Sequence, residues 1–345
     1  MNLPDFFGID IGNHTIKVAE VKYSGSNVEL EKIGSIDTPY GVVGSEDENA
    51  LGKLADAIKE IKEATNITTK KFIAALPESV IFSRVIELPK TEEGKIEETI
   101  YWEANQYMPI PVEKVQLDWL PIQEKQSEGN VIMQILLVAA PKKIIKQYQD
   151  LASKTGLELI ALETETVATS RLITYKNKFD TPVLVLDFGA NGTDMSVIKG
   201  NSLIFAQSLG TGSDALTKAI ANDYGISIQQ AEKYKIAYGL LENQGDGKIA
   251  RSLTPVMEII INELNKTINY FKEHLEESTP GEIYLVGDGA KLLGLPEFLS
   301  KRINIPCKLY DPIQHIKVPG KLEKELKQLS MVGFVVALGL AMKTE

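Results

Sequence analysis

The hydrophobic pattern of this chain contains the same unit twice. Each copy is an apolar strand that ends in Asp-x-Gly, a short polar turn and a returning strand of alternating apolar and polar residues, over residues 6–21 and 184–198. A constant offset of 177 residues separates Asp10 from Asp187 and Gly12 from Gly189. Alternation with a period of two predicts half-buried strands, and the polar turns predict hairpins. We therefore expect two similar β-hairpins in different parts of the fold.

The rest of the first half predicts a further run of strands and helices. After strands at 6–11, 16–22 and 28–38 come a helix at 49–64 and a strand at 72–76. The pattern then changes to a strand at 80–88, a helix at 92–108, strands at 116–122 and 131–139, a helix at 141–154 and a strand at 157–163. This β-α-β-β-α-β order is typical of a split βαβ module. We interpret it as an insertion into the first of two lobes.

The second half predicts a second lobe. A helix at 165–176 crosses to the three-strand repeat at 183–210, which is followed by helices at 216–223, 228–238 and 253–275, a strand at 282–286, a helix ending near 301 and a last helix at 330–342. The domains expected are a first-lobe core (1–77), an inserted βαββαβ subdomain (78–159), the crossing helix returning to the first lobe (160–179), a second-lobe core (180–212 and 279–329), a helical subdomain (213–278) and a C-terminal helix packing on the first lobe (330–345). The fold class is α/β with two lobes, since one core stops growing near ~250–300 residues.

Composition and charge narrow the function. The net charge of −10, without a dense basic run, disfavours nucleic-acid binding. The single Cys307 excludes an intramolecular disulfide. The three histidines lie far apart, and without a His-x-x-x-His or Cys-x-x-Cys spacing the sequence disfavours a dedicated zinc site. The longest apolar stretch, residues 331–342, is shorter than the ~20 residues that span a bilayer. With a strand at the N-terminus and no signal peptide, the expectation is a cytosolic protein.

The two hairpins carry the chemistry that the sequence makes most visible. Gly-rich turns expose backbone N–H groups, which can bind phosphate oxygens. The carboxylates of Asp10 and Asp187 can hold a hydrated Mg²⁺, an ion that keeps several waters and takes few protein ligands. Two such hairpins facing each other would grip a polyphosphate from both sides.

Other motifs are less specific. A Gly-x-Gly-x-x-Ala sequence starts at Gly210, but the strands before it form hairpins rather than the βαβ unit of a dinucleotide fold. Gly212 at the start of a helix can still lie near a ligand. Glu232 and Lys235 are i, i+3 neighbours, for which a surface ion pair is the simplest interpretation. A strand ends at Gly287-Asp288-Gly289, where closely approaching backbone could contact a flat ligand.

Taken together, these motifs resemble those of the superfamily of actin, heat-shock chaperones and sugar kinases, whose two lobes close on ATP. The resemblance implies an actin-like ATPase (RNase H-like) fold with the split-βαβ subdomain inserted in the first lobe. It also implies ATP contacts in a first phosphate loop, a second phosphate loop, a ribose-side pair and an adenosine motif, with Mg²⁺ held through water by Asp10 and Asp187. The residues so implied are Asp10, Gly12, Asn13, His14, Thr15, Lys17, Asp187, Gly189, Ala190, Asn191, Gly192, Thr193, Gly212, Glu232, Lys235, Gly287, Asp288 and Gly289.

Residues 8–21, 103–111, 139–143 and 209–216 resemble, more narrowly, the type IV pilus assembly protein PilM family, which is related to the division protein FtsA. This implies a cytoplasmic ATP-binding adaptor, peripheral to the inner membrane, that binds the cytoplasmic N-terminal tail of a PilN-like membrane protein. Contacts with pilus assembly ATPases and platform proteins, and self-association, stay open. Two other functions are kept as alternatives: an FtsA-like membrane-associated filament protein and a small-molecule kinase of the same superfamily.

The sequence departs from the family pattern at two places. Asp288 replaces the middle glycine of the usual Gly-Gly-Gly adenosine motif. The crossing helix offers no glutamine to position an attacking water, which leaves Glu163 and Glu165 as the candidates for that role. We therefore expect ATP binding with slow or negligible hydrolysis. A kinase would need a catalytic aspartate base and a sugar-binding insertion, and neither is evident.

Overall fold

The structure, a computed structural model, describes residues 5–39, 41, 45, 47–90, 96–108, 110–127, 130–274 and 279–344. Its strands are β1 (Phe7–Ile11), β2 (Thr15–Ser24), β3 (Asn27–Asp37), β4 (Lys71–Leu76), β5 (Phe82–Pro89), β6 (Val115–Ser127), β7 (Asn130–Pro141), β8 (Glu158–Thr164), β9 (Phe179–Phe188), β10 (Thr193–Gly200), β11 (Ser202–Leu209), β12 (Glu282–Val286) and β13 (Cys307–Leu309). Its helices are α1 (Glu48–Ala64), α2 (Ile96–Tyr107), α3 (Lys142–Thr155), α4 (Glu165–Thr174), α5 (Ser213–Tyr224), α6 (Ile228–Tyr238), α7 (Lys248–His274), α8 (Leu295–Ile303), α9 (Glu323–Leu326) and α10 (Val335–Ala341). The N-terminal part of the predicted helix at 92–108 and the C-terminal end of the one at 253–275 lie outside the described residues.

Two five-stranded sheets share one topology. The first has the order β3-β2-β1-β4-β8 and the second the order β11-β10-β9-β12-β13. In each sheet the first three strands form an antiparallel meander, and the last two pair in parallel beside it. The internal repeat therefore extends over two whole sheets. Strand β13 was not predicted, because three residues give too short a periodic pattern.

The insertion differs from the prediction. Strand β8 pairs in parallel with β4 of the first-lobe sheet, so the prediction that it completes a split βαβ module is wrong. The inserted sheet has three strands in the order β5-β7-β6, and α2 covers one of its faces. Helix α3 packs on α1 of the first lobe instead, and the hydroxyl of Tyr148 in α3 donates to the carbonyl of Ala75 at 2.7 Å. The apolar side of α3 therefore belongs to the first-lobe core.

The helices of the second lobe follow the predicted hydrophobic pattern. The stripe along α7 is buried from Leu253 to Phe271 and packs in the core that covers the second sheet. Helix α6 begins with a capping box, in which Ser227 and Gln230 exchange side-chain to backbone hydrogen bonds. The predicted helix ending near 301 is α8, and a short 3-10 turn (Asp288–Lys291) lies between it and β12.

Helices α4 and α10 lie where the lobes meet. Helix α10 packs on β1, β2 and β4 and against α4. Helix α4 starts at the N-cap Thr164, whose hydroxyl accepts from the Val167 N–H, and its far end places Leu172 and Ile173 in the second-lobe core. Edge strand β11 of the second sheet also contacts β5 of the insertion. Among the described residues, no helix combines the length and the hydrophobicity that crossing a bilayer requires.

Candidate functional site

A cleft of about 600 Å³ lies between the two lobes, and it collects most of the residues that the sequence singled out. Its walls come from the turns of both hairpins, the start of α4, helices α5 and α6, the turn after β12 and the segment before α10. The predicted residues that line it are Asp10, Gly12, Asn13, His14, Thr15, Lys17, Asp187, Gly189, Ala190, Asn191, Gly192, Glu232, Lys235, Gly287, Asp288 and Gly289. Residues more than 270 positions apart therefore share one cavity.

The two hairpins present different charges at equivalent positions. Asp10 lies directly across from Lys17 in the β1–β2 pair, and Asp187 lies directly across from Asp194 in the β9–β10 pair. Because the offset between the hairpins is 177 residues, Lys17 and Asp194 are counterparts. One hairpin thus offers a carboxylate and an ammonium, and the other offers two carboxylates.

Carboxyl groups at the base of the cleft have pKa values above their usual range. Burial, followed by repulsion from Asp194 and Asp10, raises the pKa of Asp187 to about 8. Burial, followed by the Glu78 carboxylate, raises the pKa of Asp194 to about 7. Burial also raises the pKa of Asp10. A bound cation would favour the ionised forms of these carboxyl groups, since its charge offsets both their burial and their mutual repulsion.

Helix α4 adds a further carboxylate to this group. Glu165 lines the cleft, and its pKa lies well above its usual range because of burial and then the charges of Asp194, Asp10 and Asp187. Its Oε2 atom accepts from the Glu78 N–H at 3.2 Å. The Glu78 carboxylate in turn accepts from the Thr166 N–H at 3.2 Å. A hydrogen-bonded path therefore connects the cleft to the first turn of the insertion.

Sequence reasoning missed Asp194 and Glu78 as members of this site. Asp194 follows the second hairpin turn and is equivalent to Lys17, so comparing the two repeats position by position could have found it. Glu78 has no local signal, because it is an ordinary glutamate in a connecting turn until the fold buries it to 4% exposure.

The pair formed by Glu232 and Lys235 is not a simple surface ion pair. Lys235 is 6% exposed, and its Nζ donates to Ser213 Oγ at 2.7 Å and to Thr217 Oγ1 at 2.8 Å. The Lys235 ammonium also lies 2.8 Å from Glu232 Oε2. Burial alone would raise the pKa of Glu232, but the hydrogen bonds from Lys235 and the Thr217 hydroxyl lower it. The site holds Glu232 ionised and fixed at the rim of the cleft.

An apolar region adjoins this pair. Ile236 is 64% exposed and Leu293 is 42% exposed, and both line the cleft with Leu292. Large apolar side chains exposed inside a cavity are suited to contact a flat, weakly polar ligand group. Sequence reasoning missed this region, because Ile236 has the pattern of an ordinary apolar helix residue.

The turn after β12 brings the third motif against the second hairpin. Gly287 has φ +83°, and a Cβ there would lie 2.2 Å from Asp187 Oδ1, so only glycine fits. The Asp288 carboxylate accepts from Lys17 Nζ at 2.6 Å and from the Thr15 hydroxyl at 3.1 Å. Lys291 Nζ lies 2.7 Å from its other oxygen. Burial alone would raise the pKa of Asp288, but the two lysines lower it to about 2.

Three predicted residues do not line the cleft. Thr193 is fully buried, and its hydroxyl donates to the carbonyl of Thr211 at 2.7 Å, so it connects two loops. Gly212 packs on the turn of the second hairpin, where a Cβ would lie 2.4 Å from the Ala190 carbonyl oxygen. The carboxylate of Glu163 is held by Arg171 and Lys343 on the other side of the α4 start. The structure brings only Glu165, of the two glutamate candidates, to the cleft.

The arrangement of groups fits an anionic ligand that arrives with a cation. Glycine-rich turns from both hairpins and Lys17 can bind phosphate oxygens. The carboxylates of Asp10 and Asp187 can bind the waters of a metal ion. Among the residues that the structure describes, no group of three or more His, Cys, Asp or Glu side chains is placed to ligate a metal directly.

Comparison with known proteins gives a consistent result. A family model for the type IV pilus assembly protein PilM matches residues 8–345. Among solved structures, a chain of a PilM-PilN type IV pilus biogenesis complex is 27% identical and superposes with a TM-score of 0.87, covering 98% of each chain.

More distant relatives share the fold. Cell division protein FtsA of Streptococcus pneumoniae is 23% identical over 90% of this chain and 76% of its own length. MreB5 of Spiroplasma citri, solved with bound ADP, is 14% identical with a TM-score of 0.54, covering 97% of this chain and 94% of that chain. The predicted actin-like ATPase fold is therefore confirmed.

Proposed function

Because the chain belongs to the type IV pilus assembly protein PilM family, we propose that it is an ATP-binding, actin-like adaptor of the pilus assembly platform. The observation that carries this proposal is the pair of Asp-x-Gly hairpins, which face each other across one cleft in a chain that matches the family over nearly its whole length. Nucleotide binding is supported by the actin-like ATPase fold.

The cleft residues fall into three groups, according to the part of the nucleotide that each group contacts. The turns at Gly12–Thr15 and Gly189–Gly192 bind the phosphates, and Lys17 is the buried ammonium beside them. Glu232 faces the ribose hydroxyls, since a fixed carboxylate accepts hydrogen bonds from them. Ile236 and Leu293 contact the base.

Mg²⁺ would neutralise the phosphates and polarise them when it is bound. Asp10 and Asp187 would hold it through its waters, and their raised pKa values fit a site that is completed by a cation. Glu165 belongs to the helix that crosses between the lobes. Its carboxylate lines the cleft, where it is placed to orient an attacking water. The same helix contains no glutamine for this role, which supports slow hydrolysis.

The partner surface is proposed to be the junction of the insertion and the first lobe. A solved PilM-PilN complex contains a chain that is 27% identical to this one, and this supports a PilN-like partner. We expect its short cytoplasmic tail to dock as an extended peptide. The insertion displays exposed apolar side chains that suit such contact, namely Val80, Tyr101, Trp102, Ile110 and Leu120. Binding a tail anchored in the inner membrane would place the adaptor at its cytoplasmic face.

The test is a titration of the purified chain with the tail peptide, followed by amide-exchange mapping. Protection should appear in β4–β8, and affinity should be moderate because the tail pays an ordering entropy on binding. Val80→Asp at the junction should weaken binding, whereas Ile259→Asp, on an exposed apolar residue of α7, should not. Protection confined to residues 183–301 would place the partner on the second lobe and contradict the junction.

An FtsA-like filament is the second candidate, because FtsA aligns with 90% of this chain. The adaptor proposal also includes contacts with pilus assembly ATPases and platform proteins. Sedimentation of the concentrated protein with and without Mg-ATP separates the candidates. Nucleotide-dependent pelleting without a partner would favour the filament, and a soluble protein that pellets only with PilN-containing vesicles would favour the adaptor.

A further inference from the structure

The polar contact between Lys17 and Asp288 crosses the cleft. Lys17 belongs to the first-lobe hairpin, and Asp288 lies in the turn after β12 of the second lobe, 271 residues away along the chain. The distance between Lys17 Nζ and Asp288 Oδ2 is 2.6 Å, and the Thr15 hydroxyl donates to the same oxygen at 3.1 Å. One carboxylate oxygen of the second lobe is therefore bound by two groups of the first.

The surroundings fix this contact. The Lys17 side chain is 7% exposed, so its ammonium has little access to water. Lys291 binds the other oxygen of Asp288 at 2.7 Å, which holds the carboxylate in place and ionised. At Gly333 a Cβ would lie 2.5 Å from Asp288 Oδ1 and 3.1 Å from Lys17 Cε. The pair is thus enclosed by protein on the side of the segment before α10.

Lys17 is also the buried ammonium that the proposed nucleotide site assigns to phosphate binding. A phosphate and the Asp288 carboxylate are both anions that seek the same donor, and two anions at close range repel in a partly buried cleft. On Lys17, the Asp288 carboxylate therefore takes the place that a nucleotide phosphate would occupy.

We propose that Asp288 is an intramolecular competitor of the nucleotide: its carboxylate binds Lys17 and Thr15 and links the two lobes, and a di- or triphosphate that enters the cleft must displace it. This inference rests on the proposed nucleotide binding. It explains why a glycine-rich turn that approaches the cleft carries one charged side chain. It also predicts lower nucleotide affinity than the loops alone would give, because part of the binding energy breaks an existing ion pair.

Removing the charge tests the proposal. Asp288→Asn keeps the shape of the side chain, and Asp288→Gly restores the residue usual in this motif and serves if the first variant is poorly folded. Calorimetric titration with Mg-ATP and Mg-ADP should give affinities about tenfold tighter than for the unsubstituted protein, as expected if the competing pair is formed about nine-tenths of the time. Without nucleotide, both variants should melt at a lower temperature, since Lys17 loses its partner.

Glu29→Gln is the matched control. Glu29 in β3 forms an ion pair with Lys317 at 2.9 Å, so it too joins the first sheet to a segment of the second lobe, and neither residue lines the cleft. It should leave nucleotide affinity unchanged.

The outcomes are distinguishable. Unchanged or weaker nucleotide binding by a folded Asp288 variant, with binding intact in the unsubstituted chain, would overturn the competitor role and leave the proposed function standing. Binding by the variants alone would support both proposals. No binding by any of the proteins would overturn nucleotide binding itself, and the competitor role with it.

Discussion

At the scale of single residues, the chemistry of the site depends on where charges are buried. Asp187 and Asp194 are cross-strand neighbours in β9 and β10, and a like-charged pair at such a position is unfavourable. The protein keeps it at the base of the cleft, where a cation would reverse the sign of the interaction.

Asp187→Asn removes one charge and keeps the side-chain shape. We expect Mg-ATP affinity to fall about 10- to 100-fold, as for other groups that hold a metal ion through its shell. Calorimetry measures the affinity, and the melting temperature without nucleotide at pH 8 should not fall, because the substitution also removes a repulsion. The exposed Asp223→Asn on α5 is the control. Unchanged affinity in a folded Asp187→Asn protein would refute the role of this carboxylate.

The raised pKa values predict a pH dependence of stability without nucleotide. Asp187 has a pKa of about 8 in the folded protein and 3.8 as its usual value, so the folded state binds more protons through that interval. Stability should therefore fall as the pH rises from about 4 to about 8. Asp194, with a pKa of about 7, adds a change of the same sign. Asp288 titrates below this window.

Thermal melts across this pH range check the sign. The Asp187→Asn protein should show a shallower decrease, and Mg-ATP should flatten the profile, because a cation favours the ionised carboxylates. A melting temperature that rises steadily between pH 5 and pH 8 would contradict the burial of these groups.

At the scale of elements, the close packing of α10 against α4 positions the helix that forms part of the cleft wall. Glycine permits this approach: a Cβ at Gly339 of α10 would lie 2.0 Å from the carbonyl oxygen of Ala168 in α4. The same helix packs on β1, β2 and β4. Helix α10 therefore secures both the first-lobe sheet and the helix that carries Glu165.

Gly339→Ala should destabilise the protein by about 1–3 kcal/mol, because an inserted methyl group in a packed contact forces the helices apart. Gly52→Ala is the matched control, since Gly52 also lies in a helix, α1, but a Cβ there meets no atom within 4 Å. That control should stabilise by roughly 0.5–1 kcal/mol through helix propensity. Denaturant unfolding compares the two. Equal effects of the same sign would show that the α4–α10 contact can relax.

At the scale of the whole molecule, the two lobes share a topology but differ in charge at equivalent positions and in their insertions. The first lobe contains the β5–β7 insertion and the second contains the α5–α7 helices. This division assigns the nucleotide to the cleft and leaves the insertion for partner binding in our proposal. In this proposal the adaptor requires nucleotide binding in the cleft and does not require rapid turnover.

Hydrolysis by the isolated protein should accordingly be slow. Typical enzymes turn over at about 1–10³ per second, and we expect a rate orders of magnitude lower. The physical reason is that α4 supplies no glutamine to position an attacking water. Phosphate release from the purified chain measures this, with Asp187→Asn as the background. Turnover in the ordinary enzyme range would favour the kinase alternative.

The sequence by itself determined the local units of this protein. Both Asp-x-Gly hairpins, the buried stripe of α7 and the crossing helix were predictable, because each depends on a periodicity that is complete within one segment. The repeat also allowed the cleft to be anticipated, since two equivalent hairpins imply two equivalent lobes. Most of the residues assigned to the site on this basis line the cleft.

Only the tertiary structure decided which distant segments pair. Strand β8 had the pattern of a module strand, but its partner is β4, and nothing in residues 157–163 specifies that choice. Glu78 becomes a site residue through burial. Asp288 becomes the partner of Lys17, 271 residues away along the chain, because the two lobes meet at the cleft. The periodicity of a segment reports which of its faces is buried but not what covers that face, so contacts between segments that are far apart along the chain emerge only when the lobes assemble.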